Sequence, residues 1–118
     1  MTPTISEIQT AVCEYYGLKL ADMTSDQLSP RLSGPRHLAI YLCLELTKGT
    51  QSAIGRRFGG RDHSTVVYAR SMVAKRLAND PETAEAERSI RAAIGRAVEI
   101  RDVFTLPPDL RPTGLRWG

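Results

Sequence analysis

Apolar residues recur every three or four positions along the chain, and no stretch shows the strict alternation of a half-buried strand, so the pattern predicts an all-α fold. Thr4-Ile5-Ser6-Glu7 reads as a capping box, in which the Thr4 hydroxyl accepts from the Glu7 amide while the Glu7 carboxylate reaches back. Ile5, Ile8, Val12 and Tyr15 then share one stripe until Gly17 ends the helix. A short helical turn over Leu20 to Met23 is followed by a polar loop from Thr24 to Gly34, closed by Pro35 at a first helical position. The next helix, Arg36 to Thr47, is expected to bury Leu38, Tyr41, Leu42 and Leu46. Ile40 and Leu44 extend its apolar circumference so far that it should be the central helix.

Thr50 is a good N-cap for a short helix from Gln51 to Phe58 that turns Ile54 and Phe58 inward. Phe58-Gly59-Gly60-Arg61 then forms a tight turn whose glycines permit positive φ, and Asp62 caps a long helix to about Leu77 with Val66, Ala69, Val73 and Leu77 on its buried stripe. Two helices joined by a Gly-containing turn of this length describe a helix-turn-helix, whose second member enters the DNA major groove. Asn79-Asp80-Pro81 stops that helix and caps another, Glu82 to Val103, with Ile90, Ile94 and Val98 inward. Residues 104 to 118 hold three prolines and two glycines. The expected organisation is thus a compact domain of five to six helices over residues 1–103 and an extended, mobile, Pro-rich tail over 104–118.

A chain of 118 residues, 42% hydrophobic, can enclose one core of ordinary size. No run approaches the ~20 apolar residues needed to span a bilayer, and the N-terminal MTPTISEI lacks the basic-then-apolar order of a secretory signal, so the expected location is cytoplasmic. Cys13 and Cys43 show no C-x-x-C and no nearby His pair, which points to reduced, buried thiols rather than a disulfide or a metal site.

The net charge of +3 conceals a sharper distribution: residues 1–30 carry −3, residues 31–76 carry +7 and residues 77–118 carry −1. A basic centre between acidic flanks is the footprint of a polyanion partner. His63, Ser64 and Thr65 occupy the first turn of the second helix of the pair, the turn that faces base edges in this motif. Short hydroxyls there can serve donor or acceptor bases, Asp62 can accept from a cytosine amino group, and His63 can touch a thymine methyl or donate to phosphate. Asp62 is equally an N-cap, and Ser64 and Thr65 could serve only to support it. Arg56, Arg57 and Arg61 surround this end as phosphate anchors, with His37 and Tyr68 expected to join them. Asp62, His63 and Ser64 have the residue types of a catalytic triad. Successive helical positions point about 100° apart, however, and cannot form a nucleophile–base–orienter chain, so no enzyme is expected.

The run Ala53-Ile54-Gly55-Arg56-Arg57-Phe58-Gly59-Gly60-Arg61-Asp62-His63-Ser64-Thr65-Val66 resembles the signature of the C-terminal DNA-binding domain of the DnaA family of bacterial replication initiators. Val12 to Tyr16, Leu18 to Met23, Pro35 to Leu42 and Glu45 to Thr47 are similar to the helices that precede it there, so the likeness covers about residues 4–98. It implies that Asp62, His63, Ser64 and Thr65 meet bases and backbone in the major groove and that Arg36 meets phosphate. Two features depart from the family. No G-x-x-x-x-G-K-[ST] motif is present, so no bound nucleotide is expected, and no other cofactor is expected either. Leu28 stands where the family carries the Arg that enters the minor groove, and Arg31 is the only basic residue of this loop able to replace it, so weaker recognition of the family's own DNA site is expected. The reading is a sequence-specific double-stranded DNA-binding protein, nucleoid-associated, acting as a transcriptional or replication regulator. The alternative is an interaction module that keeps the fold without sequence-specific DNA binding and docks through Trp117.

Overall fold

The computed structural model of the chain describes residues 2–25, 29–105 and 109. Six helices and no strand occur among them: α1 Ile5–Tyr16, α2 Leu20–Thr24, α3 Pro30–Leu46, α4 Gln51–Arg57, α5 His63–Asn79 and α6 Pro81–Phe104. None is long and apolar enough to cross a membrane. Leu28 and the tail from Leu106 onward, Trp117 included, lie outside the described residues apart from Asp109.

Caps place most of these helices. Thr4 Oγ1 accepts from the Glu7 amide at 3.1 Å and Glu7 Oε1 accepts from the Thr4 amide at 2.8 Å, the reciprocal box read from the sequence. Thr50 Oγ1 accepts from the Ala53 amide, Asp62 Oδ1 from the Thr65 amide and Asp80 Oδ1 from the Glu82 amide, so α4, α5 and α6 each begin on a side-chain oxygen.

The start of α3 is a correction. It begins at Pro30 rather than after Pro35, and Pro35 lies buried inside it. Ser29 is the cap: its Oγ accepts from the Arg31 amide at 3.3 Å and its carbonyl from the Leu32 and Ser33 amides at 2.9 and 3.0 Å. Pro30 supplies a second proline at a first helical position, and Pro35 removes only the one donor that the Arg31 carbonyl would have taken. Burial of Leu32, fully enclosed, holds this extra turn in place.

α3 is the hub, packed against α1, α2, α4 and α5, with α6 laid across α1 and α5. Ile8 and Val12 of α1, Leu38, Ala39, Ile40 and Leu42 of α3, Ile54 and Phe58 after the α4 start, Val66, Ala69 and Val73 of α5, and Ile90, Ile94 and Val98 of α6 form one core. Tyr41, Leu44, Leu46 and Leu77 pack at its edge. Tyr15, expected on the buried stripe of α1, is instead 45% exposed and stacks edge-on against Tyr16 at 5.0 Å. The α1 face is rotated so that Gln9 and Cys13 go inward.

Backbone close approaches shape the α4–α5 connection. The Gly55 carbonyl accepts from the Phe58 and Arg61 amides at 3.1 and 2.9 Å. A Cβ at Gly55 would strike the Arg61 carbonyl. Gly59, at φ +86°, lies against the Thr24 carbonyl at the end of α2, while Gly60, at φ +73°, faces open space.

Two outcomes follow from this packing. Gly59→Ala combines left-handed backbone with a steric collision and should cost about 2–3 kcal/mol, against about 1 kcal/mol for Gly60→Ala, which meets only the conformational penalty; urea unfolding at constant m measures both. Cys43 is fully enclosed and burial pushes its thiol up to about 12, while Cys13, 4% exposed, is raised by burial and by Asp22 and Glu14. Because the thiolate is the reactive form, neither should be alkylated at pH 8 faster than the protein unfolds, a comparison that mass spectrometry with and without urea makes directly.

Candidate nucleic-acid interface

The α4–turn–α5 unit delivers the first turn of α5 to the surface. Asp62, His63 and Ser64 are exposed and Thr65 is half-buried. Asp62 Oδ1 accepts from the Thr65 amide at 3.0 Å and from the Ser64 hydroxyl at 2.9 Å. These bonds, the Thr65 amide first, hold the Asp62 carboxyl below the usual carboxylate range, so it is ionised at neutral pH. Asp62 therefore caps α5 and at the same time orients the Ser64 hydroxyl. The direct Ser64–Asp62 bond also leaves no place for His63 between them, so the three do not form a hydrolytic relay.

The basic residues named from the sequence do not all face one way. Arg56 and Arg31 are exposed. Arg57 is exposed but drawn toward α1, where its Nη2 donates to Ser6 Oγ at 2.6 Å, while its carbonyl accepts from the buried Gln9 amide at 2.8 Å. Arg61 is half-buried and reaches from the turn to the Ser25 carbonyl at 2.9 Å, tying the helix-turn-helix to the segment that leads into α3. Arg36 departs from an exposed anchor: it is 3% exposed, and its Nε donates to the Asp22 carbonyl at 2.6 Å. Its place on the inward side of α3, beside Pro35 and one turn before Ile40, explains the burial. Half-buried His37 meets exposed Tyr68 edge-on at 5.7 Å, joining α3 to the outer face of α5. Burial first, then the positive charges of Arg76, Arg61 and Arg36, hold the His37 imidazole below its ordinary pKa and keep it neutral at pH 7.

The charge pattern seen along the sequence persists in space. Among the described residues, every ion pair uses Arg88, Arg91 or Arg101 of α6, with Glu85, Glu45, Glu87, Glu7 and Asp102 as partners. Arg31, Arg56, Arg57, Arg61, Arg70, Lys75 and Arg76 have no carboxylate partner among the described residues. The cations around α5 are thus left without ion-pair partners among the described residues, whereas the ion pairs gather on α6. Sequence reading missed Gln9 and Ser6, which fix the end of α4. The signal was a lone Gln beside the apolar stripe of α1. No group of three His, Cys, Asp or Glu among the described residues is placed to hold a metal ion.

The family model described as the bacterial dnaA protein helix-turn-helix matches residues 5–73, which hold α1 to α4 and most of α5. The chain is 42% identical over 91 residues to the chromosomal replication initiator protein DnaA of Magnetococcus marinus, covering 77% of this chain and 20% of that protein. It is 47% identical over 93 residues to the DnaA of Sphingopyxis alaskensis, covering 75% and 20%. A solved structure described as a DNA replication initiation factor superposes with a TM-score of 0.68 at 27% identity, over 78% of this chain and 28% of that one. The chain spans about a fifth of the length of these curated relatives. With the α4–turn–α5 geometry and a matched region that includes all of Asp62 to Thr65, the chain belongs to the bacterial DnaA helix-turn-helix family.

Proposed function

We propose that the chain binds double-stranded DNA sequence-specifically, with the first turn of α5 in the major groove, and acts as a regulator of transcription or replication rather than as an enzyme. The observation that carries this reading is the exposure of Asp62, His63 and Ser64 at the start of a helix surrounded by cations that no carboxylate neutralises. An unpaired Arg cluster attracts phosphate and releases counterions, and the helix N-terminus adds a favourable dipole for the same anion. Membership of the bacterial DnaA helix-turn-helix family, and relatives that are chromosomal replication initiators, support the same reading.

Within it, His63, Ser64 and Thr65 contact bases, and Asp62 contributes as cap and acceptor. Arg56, Arg57 and Arg61, with His37 and Tyr68, hold phosphates, and Arg31 serves the minor-groove side. Arg36 acts as a positioning residue: by holding the Asp22 carbonyl it fixes α2 against α3 under the segment that Arg61 also grips.

If Arg56, Arg57 and Arg61 each neutralise a phosphate, log K falls with log salt at a slope of roughly −3, and Arg56→Ala flattens it by about 1. Fluorescence anisotropy with a labelled duplex at several salt concentrations gives the slope, and absence of binding to any duplex at low salt rejects the reading. On a duplex selected from a random library, Ser64→Ala or His63→Ala should narrow the preference over random sequence by about 1–3 kcal/mol with helix content unchanged. An intact preference in both variants would move base readout away from α5.

A further inference from the structure

α5 carries a cation that neither the helix-turn-helix pattern nor the preceding assignment uses. Arg76 follows Ser64, Tyr68 and Met72 at successive four-residue steps, so the four share one ridge of the helix. Its side chain crosses to α3: a Cβ built on Gly34 would lie 3.2 Å from Arg76 Nη1, so the guanidinium rests over bare backbone that any larger residue would occupy. Gly34, His37, Met72 and Arg76 line one open groove of about 720 Å³ between α1, α3, α5 and α6. His37 in turn touches Tyr68, so an imidazole, a phenol and a guanidinium from two helices converge on the α3–α5 seam.

The groove carries both signs: Arg76 and Arg88 line it together with Asp80, Glu82 and Glu85, and Glu85 is paired with Arg88 at 2.6 Å. Burial first, then the positive charges of Arg76, Arg61 and Arg36, disfavour protonation of His37. No carboxylate among the described residues pairs with Arg76. Asp80, the acid at the end of α5, is engaged by the Glu82 amide and the Thr83 hydroxyl at 3.2 and 2.8 Å. Ser64 and Arg76 are separated by about 18 Å along the helix axis, more than the ~12 Å width of the major groove. A duplex whose base edges meet Ser64 therefore presents backbone, not bases, toward Arg76.

We propose that Arg76, delivered over Gly34 and flanked by His37 and Tyr68, is a further phosphate-binding residue that clamps the DNA backbone on the α3–α5 seam and fixes the tilt of α5 in the groove. This rests on the reading of α5 as the recognition helix. The clamp differs from the Arg56–Arg61 cluster in joining the far half of α5 to α3, so it resists rocking of α5 about its inserted end.

The test uses the full chain, a labelled duplex and the variants Arg76→Gln and Arg76→Lys. Arg76→Gln should flatten the salt slope by about 0.9 and weaken binding roughly five- to tenfold at 0.1 M salt, while Arg76→Lys keeps most of the slope. Without DNA, NMR titration of His37 should show its pKa raised in Arg76→Gln, since a neighbouring positive charge has been removed. An unchanged slope in Arg76→Gln, or a Lys variant as weak as the Gln variant, overturns the proposal while leaving DNA binding intact. A His37 titration that does not move overturns the geometry on which it stands. Failure of the unsubstituted protein to bind any duplex at low salt removes instead the reading of the whole interface.

Discussion

The structure depends on the closure of the α4–α5 turn by backbone against backbone. The Gly55 carbonyl receives two amides from the turn, Gly55 leaves no room for a side chain beneath the Arg61 carbonyl, and Gly59 seats on the Thr24 carbonyl of α2. Phe58, fully enclosed, plugs the space under the turn. Contacts of this kind admit almost no adjustment, because main-chain atoms cannot change rotamer as side chains do. They therefore set where Asp62 falls, and with it the point from which α5 projects. Arg61 then carries the same restraint outward to Ser25, and Arg36 carries it through Asp22 to α3. The two guanidiniums act as internal braces beneath the surface on which phosphate contacts were expected of them.

Charge is divided between two tasks that stay apart in space. Three of the α6 arginines, Arg88, Arg91 and Arg101, are matched to carboxylates, and the Arg101–Glu7 pair at 2.7 Å joins the end of α6 to the first turn of α1. Such part-exposed pairs contribute modestly to stability, in the range of about 0–1 kcal/mol each, and their larger effect is to remove opposite charge from circulation near α5. The cations on and around α5 keep their field because none of them is held in an ion pair among the described residues. An α5 face that held its own carboxylates at helical spacing would neutralise the same arginines locally and lose its attraction for phosphate.

The places where sequence reading and structure part have local physical causes. Pro30 and Pro35 each offer a first helical position for α3, and the pattern cannot say which is used, since a helix tolerates one proline in its second turn when a buried residue such as Leu32 anchors the first. Tyr15 carries enough apolar surface to look like a core residue, yet a rotation of α1 by a fraction of a turn brings Gln9 inward instead. Residue type alone gives Arg36 and Arg56 the same expectation, and only the packing of α3 against α2 separates the buried brace from the exposed anchor.

The sequence by itself determined the all-α class, the helix-turn-helix, the capping residues Thr4, Thr50, Asp62 and Asp80, the free buried cysteines and the basic centre of the chain. Each of these is local: a cap is read from residues two or three apart, an apolar stripe from its period, a charge block from its composition. The tertiary structure alone decided that α3 starts at Pro30, that Arg57 turns to Ser6 and Gln9 across more than forty residues of chain, and that Arg76 lies over Gly34 beside His37. Those relations join helices distant in sequence. The angle at which two helices cross is set by the shape of all the side chains between them, and no single segment contains that information.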